Sequence, residues 1–250
     1  MTVNGVAIAT VISNAVSSAL LFRRLRKTER EIHLEPKQLR IDAEMLRQIL
    51  RIGLPAGIQS AVFAVSNIVI QSAINSLGTV VMAASSAAFN IEIITYDILN
   101  SFSQACTTFV GQNFGAGDSA RIRAGTRRAF LISTAFSLAI SALVCVFAAP
   151  LMGVFVSADE TAVIASGVRY LRIEGAFYAG IGCLFLLYGY FRAIQQPGMS
   201  VVLTVISLGT RVALAYLLSA VWGEAGIWAA IPIGWILADA VGLLRMRRRN

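Results

Sequence analysis

The chain has 250 residues, of which 57% are hydrophobic and 14% charged, with a formal net charge of +8. A mean hydropathy of +0.72 leaves too little polar surface for a soluble domain of this length. Transmembrane barrel strands are excluded too, because no stretch alternates apolar and polar residues over about ten positions. The basic excess gathers between apolar stretches, which is a topology signal and not a nucleic-acid footprint. The fold class is an all-α polytopic membrane protein.

Seven spans are expected, at Val3–Phe22, Ile52–Leu77, Val80–Val110, Thr126–Phe147, Gly167–Phe191, Ser200–Val221 and Gly226–Leu244. At about 1.5 Å per residue each is long enough for roughly 30 Å of hydrocarbon. The first span has its basic flank after the apolar run and none before it, so no cleavable signal peptide is expected. Residues 23–51 follow as a linker with nine basic residues. Within it Asp42 is placed to cap an amphipathic helix carrying Met45, Leu46, Ile49 and Leu50 on one stripe, before Gly53-Leu54-Pro55 turns the chain inward. His33 is the single histidine, so no His-based metal site or catalytic triad is expected, and the chain does not read as an enzyme.

In the second span Asn67, Gln71 and Asn75 recur every four residues, one face that suits a cavity lining or helix-to-helix hydrogen bonds. The third span carries Glu92 and Asp97 near mid-membrane, where a charge costs at least ~2.5 kcal/mol and usually marks a pathway. Asn90, Asp97, Ser101, Gln104 and Thr108 form one polar face, and Glu92, Tyr96, Asn100 and Ser103 form another. Five residues at about 100° each set the two carboxylates about 140° apart around the axis, so they need different partners. Gly111–Asp118 has glycines but no following Lys-Ser/Thr, and reads as a helix stop and hinge, not a phosphate loop.

The fifth span is crowded with Phe177, Tyr178, Phe185, Tyr188 and Tyr190, a wall for an aromatic or cationic ligand or for ordinary packing. Glu174 is expected near the outer end of this span. Arg211, mid-way along the sixth, is tolerable only if it is paired, with Glu174 or Asp97 as possible carboxylates, or faces a cavity, and Asp239 is expected at the interface. Cys106, Cys145 and Cys183 lie inside spans without metal-ligand spacing and read as packing residues. Arg121, Arg123, Arg127 and Arg128 follow the third span, Arg192 ends the fifth, and Arg245, Arg247, Arg248 and Arg249 end the seventh, whereas the alternate loops hold no Lys or Arg. The positive-inside rule then places the N-terminus outside and the C-terminus in the cytoplasm.

The run Gly5–Ile12 is similar to Gly226–Ile233, and the following arginines stand 18 and 19 residues after the glycines. Read as a repeat, this makes 1–22 the last helix of one bundle, 23–51 a cytoplasmic linker, and 52–250 a six-helix lobe.

Three stretches carry a family resemblance: LRIGLPAGIQ at Leu50–Gln59, the run through FSQACTTFVGQNFGAGD to Asp118, and Tyr190–Ala215 with Arg192 and Arg211. With the Gly226-Ile227-Trp228 span they resemble the MATE family of multidrug and toxic-compound extrusion transporters, in its MepA-like bacterial type. The resemblance implies a cation-coupled antiporter of two six-helix lobes around a V-shaped cavity in the cell (inner) membrane, driven by Na+ or H+ with no other cofactor. It implies amphipathic organic cations as substrates, and a companion N-terminal lobe and the lipid bilayer as partners.

On that basis Glu92, with Asp97, is the coupling candidate, with any Na+ held near Glu92. Asn67, Gln71, Asn90, Tyr96, Asn100, Gln104, Phe177, Tyr178 and Arg211 are the candidates for lining the cavity. An aspartate that NorM-like members carry in the tenth span has Ile181 at about its place here. A related flippase of lipid-linked substrates and a non-transporting half-module remain as alternatives.

Overall fold

In hydrocarbon every backbone N–H and C=O must be satisfied inside its own segment, which makes helices of the apolar runs. The computed structural model describes residues 3–28, 33–36 and 40–248. Among these the elements are α1 (Val3–Lys27), α2 (Ala43–Asn75), α3 (Thr79–Gly115), α4 (Ser119–Val146), α5 (Ala148–Gly153), α6 (Thr161–Gly175), α7 (Tyr178–Ala193), α8 (Pro197–Trp222) and α9 (Glu224–Arg247). The described residues contain no strand.

Helices α2, α3, α4, α8 and α9 are long and apolar enough to cross a membrane, and α6 with α7, bent by 51° at a short break, counts as a sixth. Among the described residues this makes five or six candidate spans, beside the approximately seven expected. The first expected span is helical, ending in Arg24, Arg26 and Lys27, but Thr10, Ser13, Asn14, Ser17 and Ser18 dilute its apolar run.

The chain divides into two compact units, Met1–Ile49 and Leu50–Asn250. In the first, Asp42 Oδ1 accepts from the N–H groups of Glu44 and Met45 at 3.0 and 2.9 Å, the expected cap. The inward turn expected at Gly53-Leu54-Pro55 does not form. Helix α2 runs unbroken from Ala43 to Asn75 with Pro55 inside it, because one proline removes a single backbone donor while the turns on either side keep theirs.

In the second unit α3 packs on α6 and α7, α4 on α7, and α8 along α9. The α8–α9 contact is backbone to backbone. A Cβ built on Gly234 or Gly226 would collide with the main-chain carbonyl of Ser207 or Leu218. Ser103 Oγ ties α3 to α7 by donating to the Phe185 carbonyl at 2.6 Å. The α3–α4 connection is the expected stop: Gly117 adopts φ 72°, and Asp118 caps α4 by accepting from the Arg121 N–H at 2.9 Å.

Asp239, expected at the interface, is enclosed by the helix packing. It is buried on α9 against Gly180 of α7, within hydrogen-bonding reach of the Cys183 thiol. The missing side chain at Gly180 makes that room. Apolar residues such as Ile132, Leu143, Val146, Leu217 and Val221 stay exposed on the outer helix faces, the arrangement that suits lipid.

Candidate functional site

The break between α6 and α7 organises the site. Glu174 closes the last turn of α6, and Tyr178 opens α7. Because the two half-helices meet at 51°, both side chains reach Glu92 on α3. Interrupted helices of this kind recur where transporters hold substrates or coupling ions, since their ends leave polar groups free at membrane depth.

Glu92 and Glu174 are each 1% exposed, and they are close enough for each to feel the other's charge. Tyr170 OH donates to Glu92 Oε2 at 2.7 Å, and Tyr178 OH to Glu92 Oε1 at 3.2 Å. Tyr96 OH donates to Glu174 Oε2 at 3.4 Å. The fourth carboxylate oxygen, Glu174 Oε1, is buried and has no hydrogen-bond partner. Four acceptor oxygens thus face three tyrosine donors, and the cluster lacks one proton. A proton on Glu174 Oε1 turns that oxygen into a donor toward Glu92. The oxygen-only donor set suits a proton or a small hard cation.

The tyrosines are fixed from behind. Tyr96 stands edge-on to Tyr178, Phe185 and Trp235 with ring centroids 6.2, 6.3 and 6.4 Å away. Tyr170 stands edge-on to Trp228 of α9 at 5.3 Å. At the far end of α6, Glu224 of α9 accepts from Arg169 Nη1 at 2.7 Å and Ser166 Oγ at 2.8 Å, which holds α6 to α9.

Tyr170 also forms part of the wall of a cleft of about 790 Å³ between α2, α3, α6, α8 and α9. Asn67 and Gln71 line it from α2, and Arg211 from α8. Arg211 pairs with neither Glu174 nor Asp97. Its Nη1 donates to Asn67 Oδ1 at 3.1 Å, and the only ion pair among the described residues is Arg169–Glu224. Helix α2 touches the bundle lightly at this level, through that bond and the Phe63–Tyr188 ring contact at 6.5 Å.

The remaining candidates lie elsewhere. Asp97 and Gln104 are exposed on the other polar face of α3, as the helical spacing requires of Asp97 relative to Glu92, and Asn100, expected on the Glu92 face, is exposed as well because it lies toward that face's edge. Asn90 lines a smaller cleft with Glu160 and donates to the Ser86 carbonyl at 3.0 Å. Phe177 sits exposed at the break. Ile181 is packed in the core of α7, and the carboxylate of the broken span is Glu174. The sequence reading placed neither Tyr170 nor Glu174 in the site, although their i,i+4 spacing on one helix face was an available signal.

The MatE family model matches residues 55–217. Over 247 residues the chain is 24% identical to the probable multidrug resistance protein NorM of Thermotoga maritima, covering 98% of this chain and 53% of that protein. It is 28% identical over 200 residues to the probable multidrug resistance protein YpnP of Bacillus subtilis, covering 80% of this chain and 44% of that one. Among solved structures, an outward-facing multidrug resistance MATE family transporter of the MOP superfamily superposes with a TM-score of 0.90 at 23% identity, over 98% of this chain and 55% of that one. The chain spans about half the length of the curated relatives it matches.

Proposed function

The chain belongs to the MatE family, and from that premise we propose that it forms one lobe of a cation-coupled multidrug efflux antiporter. In this reading it works with a companion N-terminal lobe, in the cell membrane, with its C-terminus in the cytoplasm. The observation that carries the coupling role is the Glu92–Glu174 pair, two carboxyl groups buried together in membrane-spanning helices and one donor short.

Occupied by a proton, or by Na+ in its place, the pair carries one negative charge in place of two, and α3 and α6 stay together. Emptied, it leaves two like charges side by side. At a separation of ~4 Å and an effective dielectric near 20 their repulsion is about 4 kcal/mol. Moving a two-state equilibrium from 1:99 to 99:1 takes about 5.5 kcal/mol. Loading and unloading this pair therefore supplies most of the bias between an inward-open and an outward-open arrangement, and differential binding of substrate supplies the rest. The α6–α7 break is the joint at which the two arrangements differ.

The test is ion-driven dye efflux from vesicles that contain the chain together with its companion lobe, and from vesicles with the chain alone. Glu92→Gln and Glu174→Gln should each abolish dependence on the ion gradient while leaving insertion and folding intact. Unchanged gradient dependence in both variants would remove the pair from the mechanism. Arg211 in the cleft supports a second reading, flipping of a lipid-linked anionic substrate, which dye efflux compared with lipid flipping in the same vesicles separates.

A further inference from the structure

Arg211 stands midway along α8 and carries a guanidinium that does not deprotonate in proteins. Its hydrogen bond goes to a neutral acceptor, Asn67 Oδ1, and its Nε is buried without any acceptor. No carboxylate among the described residues lies within ion-pair distance of it. Glu92 and Glu174 act on it only at longer range, and Tyr170, not either glutamate, forms the wall between them and the cleft. A charge at this depth is retained when it faces a partner or a watery cavity. Here the cavity is present and the partner is not.

Among the described residues, Arg211 is the only formally charged side chain lining the cleft of about 790 Å³. Asn67, Gln71 and Ser85 add neutral hydrogen-bonding groups, and Ile68, Met82 and Phe89 add apolar surface. The volume is that of a site for a drug-sized molecule. An organic cation seated here would meet the guanidinium as a like charge, with no carboxylate in the lining to offset it. An anion would meet a charge already oriented by Asn67, with neutral donors around it.

We propose that this cleft binds the anionic head of an amphipathic ligand, a carboxylate, sulfonate or phosphate ester, on Arg211, with its apolar part against Phe89 and Met82. This deepens the transport reading by naming a substrate class, and it rests on that reading only for the role of substrate, since equilibrium binding needs no ion gradient.

The experiment places the chain in nanodiscs of uncharged phosphatidylcholine, with Trp222→Phe and Trp235→Phe leaving Trp228 as the fluorescent reporter. The probes are 11-bromoundecanoate and the matched bromoundecyl-trimethylammonium ion, whose bromine quenches a tryptophan close to it, as Trp228 is in the cleft wall. Saturable quenching by the anion is expected at concentrations at least about tenfold below any quenching by the cation. Arg211→Gln should weaken the anion by about tenfold or more, and Arg211→Lys by less.

Tighter saturable binding of the cation overturns the proposal, and needs no change at Arg211. Undiminished anion binding in an Arg211→Gln protein that melts like its parent overturns it as well. Inorganic phosphate should not displace the bromoacid; equal displacement would overturn the amphiphile requirement. Phosphatidylglycerol added to the discs decides the source. Displacement assigns the site to a bilayer lipid, and its absence to a free amphiphile, both within the proposed class. Lost anion binding with intact ion coupling sinks this inference alone, whereas intact anion binding without gradient-driven transport sinks the transport reading alone.

Discussion

Glu174 Oε1 lies buried with no donor of its own, while three tyrosine hydroxyls serve the other three carboxylate oxygens of Glu174 and its neighbour Glu92. This asymmetry makes the two glutamates unequal under the same substitution. Glu174→Gln places an amide N–H₂ where the orphan oxygen stood and supplies the missing donor toward Glu92. It should leave the fold as stable or raise stability by about 1 kcal/mol. Glu92→Gln instead puts an N–H₂ where Tyr170 or Tyr178 now donates, setting donor against donor, and should cost about 1–3 kcal/mol. Thermal melts of the two purified variants in one detergent check the order. A Glu92→Gln protein more stable than Glu174→Gln would mean the hydrogen-bond assignment is reversed.

Tyr170 joins the carboxylate pair to the cleft, so Tyr170→Phe separates its two contributions. The ring keeps its edge-on contact with Trp228, and only the 2.7 Å bond to Glu92 is lost. A buried carboxylate oxygen then has no donor, a loss of about 1–3 kcal/mol. Tyr178→Phe, which removes a 3.2 Å bond from the other oxygen, should cost less. Combining Tyr170→Phe with Glu92→Gln should cost less than the sum of the two, with a coupling of 0.5 kcal/mol or more, on the order typical of residues in contact. Additive losses would show that the hydroxyl and the carboxyl do not act on each other.

What could be read from the sequence was local. The helical period alone put Glu92 and Asp97 on different faces of α3, and one is buried while the other is exposed. The Asp42 cap and the Gly117–Asp118 stop rest on side-chain and backbone rules that act within four residues. The site needed contacts between α3 and a span far along the chain, and no periodicity reports which helices touch. Glu174 therefore read as the outer end of a helix until the bend at Ala176–Phe177 carried it against Glu92. Pro55 misled for the opposite reason: a local breaker signal was overridden by a long apolar helix continuing through it. For Arg211 the sequence left a carboxylate partner and a cavity both open, and in the fold it lines the cleft and donates to an amide.

The α8–α9 contact sets a steric prediction. Gly234 faces the Ser207 carbonyl so closely that even a methyl group would overlap main-chain atoms. Backbone in a helix moves less readily than a flexible side chain, so the two helices must separate. Gly234→Ala should destabilise by about 1–3 kcal/mol, the range of overpacked cores, and Gly234→Val by more. Ala230→Gly on the same helix lacks the overlap and costs only propensity and a methyl group, about 1 kcal/mol. Melting temperatures falling in the order Ala230→Gly, Gly234→Ala, Gly234→Val are expected, and a neutral Gly234→Val would show that α8 and α9 are not in backbone contact.

Glu224 holds α6 to α9 through two bonds of different character. Arg169 is 59% exposed on its side chain and Glu224 17%, so the ion pair is screened and contributes ~1 kcal/mol or less. The Ser166 bond at 2.8 Å is half-buried and insensitive to salt in comparison. Glu224→Gln keeps an acceptor for Ser166 and removes the charge, so it should cost a few tenths of a kcal/mol, less still in 1 M salt. Glu224→Ala loses both bonds and should cost about 1–2 kcal/mol at any ionic strength. The same strap orients Tyr170, one turn along α6 from Ser166 and seated against Trp228 of α9. Loosening it in Glu224→Ala should therefore raise the ionic threshold for gradient-driven efflux, while Arg169→Gln, which leaves the serine bond in place, should shift that threshold little. Efflux measured over a range of imposed gradients, at low and high salt, distinguishes them. Equal effects of Glu224→Ala and Arg169→Gln would assign the strap to the ion pair alone.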